Sequence, residues 1–148
     1  MILPDFKDFP RTGRVIGIDW GARRTGVAIS DPMHQMVFVR PVVSSSGADD
    51  LIQKIVTLIT DENVSGVVVG LPLRMDGSAS ETTQNVREFA NALAARVDVP
   101  ICMLDETLSS MSAQDDMGRV RMRDIKQKLD SESARVILEN ALAIIKRQ

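Results

Sequence analysis

The chain has 148 residues, 44% hydrophobic and 26% charged, which is typical of one soluble globular domain with a sizeable core. The net charge of −2 argues against bulk non-specific adhesion to nucleic acid, and the 3% of aromatic residues argues against a stacking platform for single-stranded bases. A single cysteine excludes an intrachain disulfide, and no apolar run approaches the ~20 residues of a membrane-spanning helix. We therefore expect a cytoplasmic protein without a membrane partner, organised as one domain over residues 1–148 with an irregular lead-in over residues 1–13.

The first strong pattern is a pair of β-rich runs joined by a short link that contains glycine. Val15–Ile18 leads into Asp19, and Gly26–Ile29 follows the polar residues after Gly21. Two such runs predict a β-hairpin, with Asp19 late in its first strand and central in a sheet. Since a charged side chain is seldom buried alone, Asp19 is expected to pair with a cation or to hold a metal. Asp and Gly are also ordinary turn residues, and the hairpin alone does not decide between these interpretations.

Strands and helices alternate through the middle of the chain. Residues 36–43 form a strand-like run whose proline suits a sheet edge, and His34 before it is interpreted as a surface loop residue. Apolar residues at helical spacing predict a helix over residues 49–60. Residues 66–71 are continuously apolar, which is typical of a central parallel strand that is buried on both faces.

A loop with two glycines and a proline, residues 70–80, then leads into a helix predicted over about residues 80–97. Ser78 and Glu81 match the spacing of a capping box at the start of this helix. The backbone N–H groups of the loop and helix start suit a phosphate, although a simple turn and cap would have the same sequence.

The next strand is predicted over residues 99–104 and ends in Asp105 and Glu106. Open α/β sheets bind their ligands at the carboxyl ends of such strands. A helix over residues 107–117 follows. Arg119–Lys128 then carries five cations and one acid, and we interpret it as a mobile segment that faces a polyanion, or else as a solvated face.

The last helix is predicted over residues 130–146, with Asp130 and Glu132 in its first turn. Acids are favoured at helix starts for purely structural reasons. Together with Asp19 and Asp105–Glu106, however, Asp130 completes a set of carboxylates from three places in the chain. Such groups repel one another unless a cation lies between them, and Mg²⁺ prefers oxygen ligands. A cluster of them would therefore indicate a metal centre of the kind that cleaves phosphodiesters.

Four motifs resemble the YqgF/RuvX family: GIDWGARRTGVAISD, GVVVGLPLRMDGS, DETLSS and the D-x-x-x-A pattern of the last helix. The resemblance covers about Arg14 to the C-terminus. It implies an RNase H-like fold related to the RuvC junction resolvases, and a cytoplasmic nuclease that matures the 5′ end of pre-16S rRNA. It further implies that Asp19, Glu106 and Asp130 are the catalytic metal ligands, for Mg²⁺ or Mn²⁺. Thr107 stands where the family usually has Arg, and the spacing of the last motif leaves Glu132 as an alternative to Asp130.

We therefore predict an α/β fold with a mixed sheet of about five strands flanked by helices, the first three strands antiparallel and the later ones parallel. The leading function is a metal-dependent endonuclease of structured RNA, acting as a monomer or a homodimer. The cations expected to hold the nucleic-acid backbone are Arg23, Arg24, Arg74, Arg119, Arg121 and Arg123. The alternatives are a resolvase of branched DNA, which requires a dimer, a nucleotide-phosphate binder, and a non-catalytic ribosome-assembly or transcription factor.

Overall fold

The computed structural model describes residues 1–73, 76–105 and 122–148, with side chains from residue 132 onward in the last segment. The described strands are β1 (Ile2–Leu3), β2 (Arg14–Asp19), β3 (Arg24–Ser30), β4 (Val37–Ser44), β5 (Val64–Leu71) and β6 (Ile101–Asp105). The described helices are α1 (Ala48–Asp61), α2 (Glu81–Ala94) and α3 (Met122–Lys146). None of these helices is long and apolar enough to cross a membrane.

The strands form one mixed sheet in the order β1-β6-β5-β2-β3-β4. The pairs β2–β3 and β3–β4 are antiparallel, whereas β5 pairs in parallel with both β2 and β6. The predicted α/β class and the predicted strand directions are therefore confirmed. The sheet has one strand more than the five predicted, because Ile2–Leu3 pairs in parallel with β6 inside the segment expected to be wholly irregular. A strand of two residues has no alternation from which it could be recognised.

The sheet separates two hydrophobic cores. On one face, here called the α1/α2 face, Ile16 and Ile18 of β2 pack with the apolar stripes of α1 and α2. On the other, the α3 face, Val15 packs with residues of α3. This alternation is the period of two expected of a strand that is buried on both sides. Burying a Val or Ile side chain contributes about 1.5–3 kcal/mol, so the central strands anchor both layers.

The segment before β2 covers part of the α3 face. Phe6 and Phe9 are buried and pack edge to face, with ring centroids 5.5 Å apart. Cys102 of β6 is buried in the same core, as predicted for a small apolar residue. Burial raises the pKa of the Cys102 thiol to about 11, with the nearby charge of Asp5 adding to the rise.

His34 is buried, with 2% of its surface exposed, so its interpretation as a surface loop residue is wrong. Its Nε2 lies 2.7 Å from the carbonyl oxygen of Gly13, and its backbone has a φ of 58°. Asp31 fixes this turn by accepting hydrogen bonds from the backbone N–H groups of Met33, Gln35 and Met36. The cluster lies at the amino end of β2, which is the sheet edge opposite Asp19.

Candidate active site

Four strands bring their carboxyl ends to one edge of the sheet. β2, β5 and β6 are parallel, and β4 has the same direction because two antiparallel pairings separate it from β2. Asp19 and Asp105 therefore end their strands at this edge, next to the turn between β2 and β3 and the start of α1. This is the edge at which open α/β sheets place their ligands.

Asp19 is half-buried and lies between two glycines of the neighbouring strands. Gly26 of β3 is its direct partner in the antiparallel pair. On the other side, Ile18 pairs with Val69, so continuation of the register places Gly70 beside Asp19. Because glycine has no side chain, neither strand neighbour places a side chain beside the Asp19 carboxylate on the α3 face.

Helix α3 packs unusually close to β2. A Cβ atom on Gly17 would lie 2.8 Å from the Cβ of Leu138 and 3.0 Å from the carbonyl oxygen of Ala134. Only glycine fits there, and the contact fixes the height of α3 above the sheet two residues before Asp19. Asp130 precedes Ala134 by four residues, which is about 6 Å along the helix axis.

The start of α3 differs from the prediction. The helix begins at Met122 rather than near residue 130, so Asp130 does not lie in its first turn. The purely structural interpretation of Asp130 as a residue that caps the helix is therefore wrong. It also follows that residues 122–128 of the cationic Arg119–Lys128 segment are helical.

The turn between β2 and β3 is held by Gly21 and Thr25. The Gly21 N–H donates to Thr25 Oγ1, which donates in turn to the Gly21 carbonyl, both at 3.3 Å. A Cβ on Gly21 would lie 2.0 Å from the carbonyl oxygen of Arg24, so the turn requires glycine. This tight turn places the exposed residues Arg23 and Arg24 at the same sheet edge as Asp19, and their contact with a nucleic-acid backbone stays a prediction.

The other predicted site residues lie outside the part of the chain that is fully described. Glu106, Thr107, Arg74, Arg119 and Arg121 are outside the described residues, and for Asp130 and Arg123 only the helical backbone is described. The convergence of Asp19, Glu106 and Asp130 therefore stays a prediction. Within the described ranges, no group of three Asp, Glu, His or Cys side chains is placed to hold a metal ion.

The start of α2 is capped by residues other than those predicted. Ser80 is the N-cap and accepts a hydrogen bond from the Thr83 N–H, while the Thr83 hydroxyl accepts one from the Ser80 N–H. Ser78 instead bonds to the Asp76 carboxylate. The Ser80–Thr83 pair has the same spacing as a capping box, but a Thr takes the place of the usual Glu or Gln, which is why Glu81 misled the assignment.

The sequence matches a known protein family. The family described as "RuvX: Holliday junction resolvase" matches residues 13–144. The chain belongs to the RuvX family. The resemblance inferred from the four sequence motifs is thereby confirmed.

Relatives of this RuvX family member share its length as well as its sequence. A Maridesulfovibrio salexigens protein named "Putative pre-16S rRNA nuclease" is 42% identical over 132 residues, which cover 88% of this chain and 98% of that protein. A protein of the same name from Nitratidesulfovibrio vulgaris is 34% identical over 131 residues, which cover 87% of this chain and 92% of the relative.

The fold is that of solved resolvases. RuvC from Thermus thermophilus, in complex with a Holliday junction substrate, superposes with a TM-score of 0.61 at 14% identity, covering 92% of this chain and 97% of that one. The yeast mitochondrial Holliday junction resolvase gives a TM-score of 0.57 at 13% identity, covering 94% and 82%. The predicted RNase H-like fold is therefore confirmed.

Proposed function

We propose that this protein is a divalent-metal-dependent endonuclease that processes structured RNA, with the 5′ end of pre-16S rRNA as its substrate. The observation that carries the proposal is the position of Asp19: it ends a central strand between Gly26 and the position of Gly70, at the edge where three further strands end. The names of the relatives and of the family support a nuclease.

We propose Asp19, Glu106 and Asp130 as the ligands of Mg²⁺ or Mn²⁺. Carboxylate oxygens are the donors these ions prefer, and Asp19 is only half-buried, so it suits a cation that also binds water and phosphate. Strand alternation favours Glu106 over Asp105: Leu104 packs on the α3 face, so Asp105 belongs to the α1/α2 face, and a strand continued by one residue would bring Glu106 to the face of Asp19. For the third ligand, two observations favour Asp130 over Glu132. Asp130 lies one helical turn before Ala134, which contacts Gly17. Glu132, by contrast, forms an ion pair with Arg135.

Bound ions of this kind would supply an activated water and would neutralise the charge that develops on the phosphate. The carboxylates orient the ions, and the exposed cations at the turn, Arg23 and Arg24, contact the backbone on either side of the cut. Arg74, Arg119, Arg121 and Arg123 are proposed to extend this contact. Charge-assisted hydrogen bonds from guanidinium groups to phosphate suit this role.

The Asp19→Asn substitution tests the proposal. Asn keeps the size of the side chain but loses the charge, so the variant should fold. Its rate of precursor rRNA cleavage should fall by more than the roughly 10–100-fold that is typical when a group that only orients a metal ligand is removed. Asp98→Asn, which removes an exposed carboxylate from the loop before β6, is the matched control and should cleave normally. Circular dichroism checks the fold, and EDTA should abolish cleavage in the unaltered protein. Full activity of Asp19→Asn would falsify the metal mechanism.

The second candidate is cleavage of a four-way DNA junction, which the description of the family favours. Cutting two strands symmetrically requires two active sites, so this function predicts a dimer in gel filtration and symmetric nicks in a junction assay. A side-by-side assay on precursor rRNA and a junction at equal metal concentration distinguishes the two. Binding of precursor rRNA without cutting of either substrate would instead favour a non-catalytic assembly factor, and tight ATP binding in calorimetry would favour a nucleotide binder.

A further inference from the structure

A cavity of about 410 Å³ opens at the same sheet edge as Asp19 but on the α1/α2 face. Its walls are the turn after β2, the start of α1 and one side of α2. The lining is mainly apolar, including Trp20, Leu51 and Phe89, with polar groups from Ser45, Asn85 and Glu88. A volume of this size is in the range of about 300–1,000 Å³ that small-ligand sites occupy.

The Ser45 hydroxyl is an unsatisfied polar group in this wall. Its Oγ is buried and has no hydrogen-bond partner among the described residues, although the backbone N–H of the same residue donates to the Arg23 carbonyl at 3.0 Å. That backbone bond holds the backbone of Ser45 against the turn. A buried hydroxyl without a partner costs free energy, which a ligand with a polar edge would recover.

Trp20 links the cavity to the proposed cleavage site. It follows Asp19 directly, and it packs against the α1/α2 core whereas Asp19 lies on the α3 face. Their Cα atoms are therefore about 3.8 Å apart, and the two side chains lie on opposite faces of the same edge. A strand of nucleic acid that crosses this edge with one phosphate at Asp19 reaches Trp20 within one or two nucleotides.

The charge in the cavity selects the kind of group that can enter. Glu88 is exposed at the cavity, and its carboxylate accepts hydrogen bonds but repels phosphate. Asn85 can both donate and accept, and so can the Ser45 hydroxyl. A flat group with apolar faces and N–H donors on its edge matches this lining, whereas a phosphate or a purely apolar side chain does not.

We propose that this cavity receives one unpaired nucleobase of the substrate, within two nucleotides of the phosphate that is cut. The proposal rests on the nuclease function proposed above. The base stacks on Trp20, and its edge bonds to Glu88, Asn85 and the Ser45 hydroxyl, as in other pockets that take a base out of a helix. Guanine fits best, because its adjacent N1–H and N2–H donors can both bond to one carboxylate. A single base on a single indole agrees with the small number of aromatic residues in the chain.

The only tryptophan of the chain lies in the cavity, so its fluorescence reports on this site alone. We expect guanosine 5′-monophosphate, titrated in EDTA with excitation at 295 nm, to quench Trp20 saturably with a dissociation constant of about 1–10 mM. N-acetyltryptophanamide, titrated in parallel, corrects for absorption and collisional quenching. Uridine 5′-monophosphate should bind more weakly, since its carbonyl oxygens would meet the Glu88 carboxylate. Quenching no greater than that of the free indole, or tighter binding of the uridine nucleotide, would overturn the proposal.

Three variants locate the binding. Glu88→Gln should weaken binding of the guanosine nucleotide by roughly tenfold or more. Ala92→Leu places a larger side chain in the cavity wall and should abolish saturable quenching, whereas Ala95→Leu, at an exposed position outside the lining, should leave it unchanged. Ser45→Ala should weaken binding without lowering the melting temperature, because the Ser45 hydroxyl has no hydrogen-bond partner in the part of the chain that the structure describes. A clear fall in melting temperature, with binding intact, would show that this hydroxyl is structural and would contradict its role here.

Cleavage assays separate this proposal from the nuclease function itself. A series of substrates, each with one abasic nucleotide near the cut, should show a fall in kcat/KM at one position within two nucleotides of the cut, and Ala92→Leu should remove that dependence. Cleavage that is equally fast with every abasic substrate would refute the base pocket and leave the nuclease standing. Failure to cleave any substrate, with selective quenching by the guanosine nucleotide in EDTA, would refute the nuclease and retain the base pocket.

Discussion

Replacing Gly17 by alanine should both destabilise the protein and slow cleavage. The added Cβ would meet the Cβ of Leu138 at 2.8 Å and the carbonyl oxygen of Ala134 at 3.0 Å. Both are fixed atoms, so no change of rotamer relieves the contact and α3 must move away from β2. Overpacking of this kind costs about 1–3 kcal/mol. For a chain of this size each kcal/mol lowers the melting temperature by about 2–4 °C, so a fall of several degrees is expected.

The effect on cleavage should exceed the effect on stability. The helix that moves carries Asp130 one turn before Ala134, and a misplacement of about 1 Å in a catalytic group can cost roughly 100-fold in rate. Thermal unfolding measures the effect on stability. Single-turnover cleavage of precursor rRNA, at a temperature where both proteins are fully folded, measures the effect on catalysis.

Gly66→Ala is the matched control, because the change is the same but the neighbour is different. A Cβ on Gly66 would lie 2.7 Å from the tip of the Phe9 ring, which belongs to the segment before β2 and can turn aside. The Gly66→Ala variant should be less stable than the natural protein but should cleave at the same rate. If Gly17→Ala cleaves at the natural rate, or if both variants lose cleavage equally, the height of α3 does not position the site.

Two further predictions concern stability alone. Thr83→Val should cost about 1–3 kcal/mol, because the buried hydroxyl donates to the Pro72 carbonyl and accepts from the Ser80 N–H. Thr82→Val, at the exposed neighbouring position, should be nearly neutral in the same denaturant titration. Hydrogen bonds from backbone N–H groups, that of Met36 above all, lower the pKa of Asp31 below its ordinary value of 3.8. The carboxylate therefore stabilises the fold above that pH, and the stabilisation is lost as the pH falls through the lowered pKa. Asp31→Asn should melt lower than the natural protein at pH 7 and approach it in acid; a gap that is independent of pH would contradict this.

The sequence predicted the elements whose periodicity is strong. The hairpin whose first strand ends on Asp19, the helix α1 and the buried strand β5 could all be recognised, because alternation or helical spacing repeats several times in each. Ile2–Leu3 could not, since two residues carry no period. The start of α3 was placed eight residues too late because residues 122–128 are so rich in charge that they show no apolar helical period.

The site was predicted less completely, for physical reasons. Asp19 could be singled out because an acid at the end of an apolar strand is unusual. His34 and Trp20 could not be assigned, since their burial depends on contacts with distant residues: His34 meets Gly13, and Trp20 meets the α1/α2 core. The capping Ser80–Thr83 pair was missed because Ser78 and Glu81 offered a closer match to the usual pattern.

The short strand β1 also has a consequence for solubility. β6 is apolar over Ile101–Leu104, and on the side away from β5 its described backbone partners are Ile2 and Leu3. The opposite border of the sheet, β4, carries Arg40 and Pro41, residue types that discourage pairing with another strand. The two ends of the sheet are thus protected from self-association by different means. Removing residues 1–3 would expose a ready template for intermolecular strand pairing, so loss of that covering should show itself first as aggregation on storage.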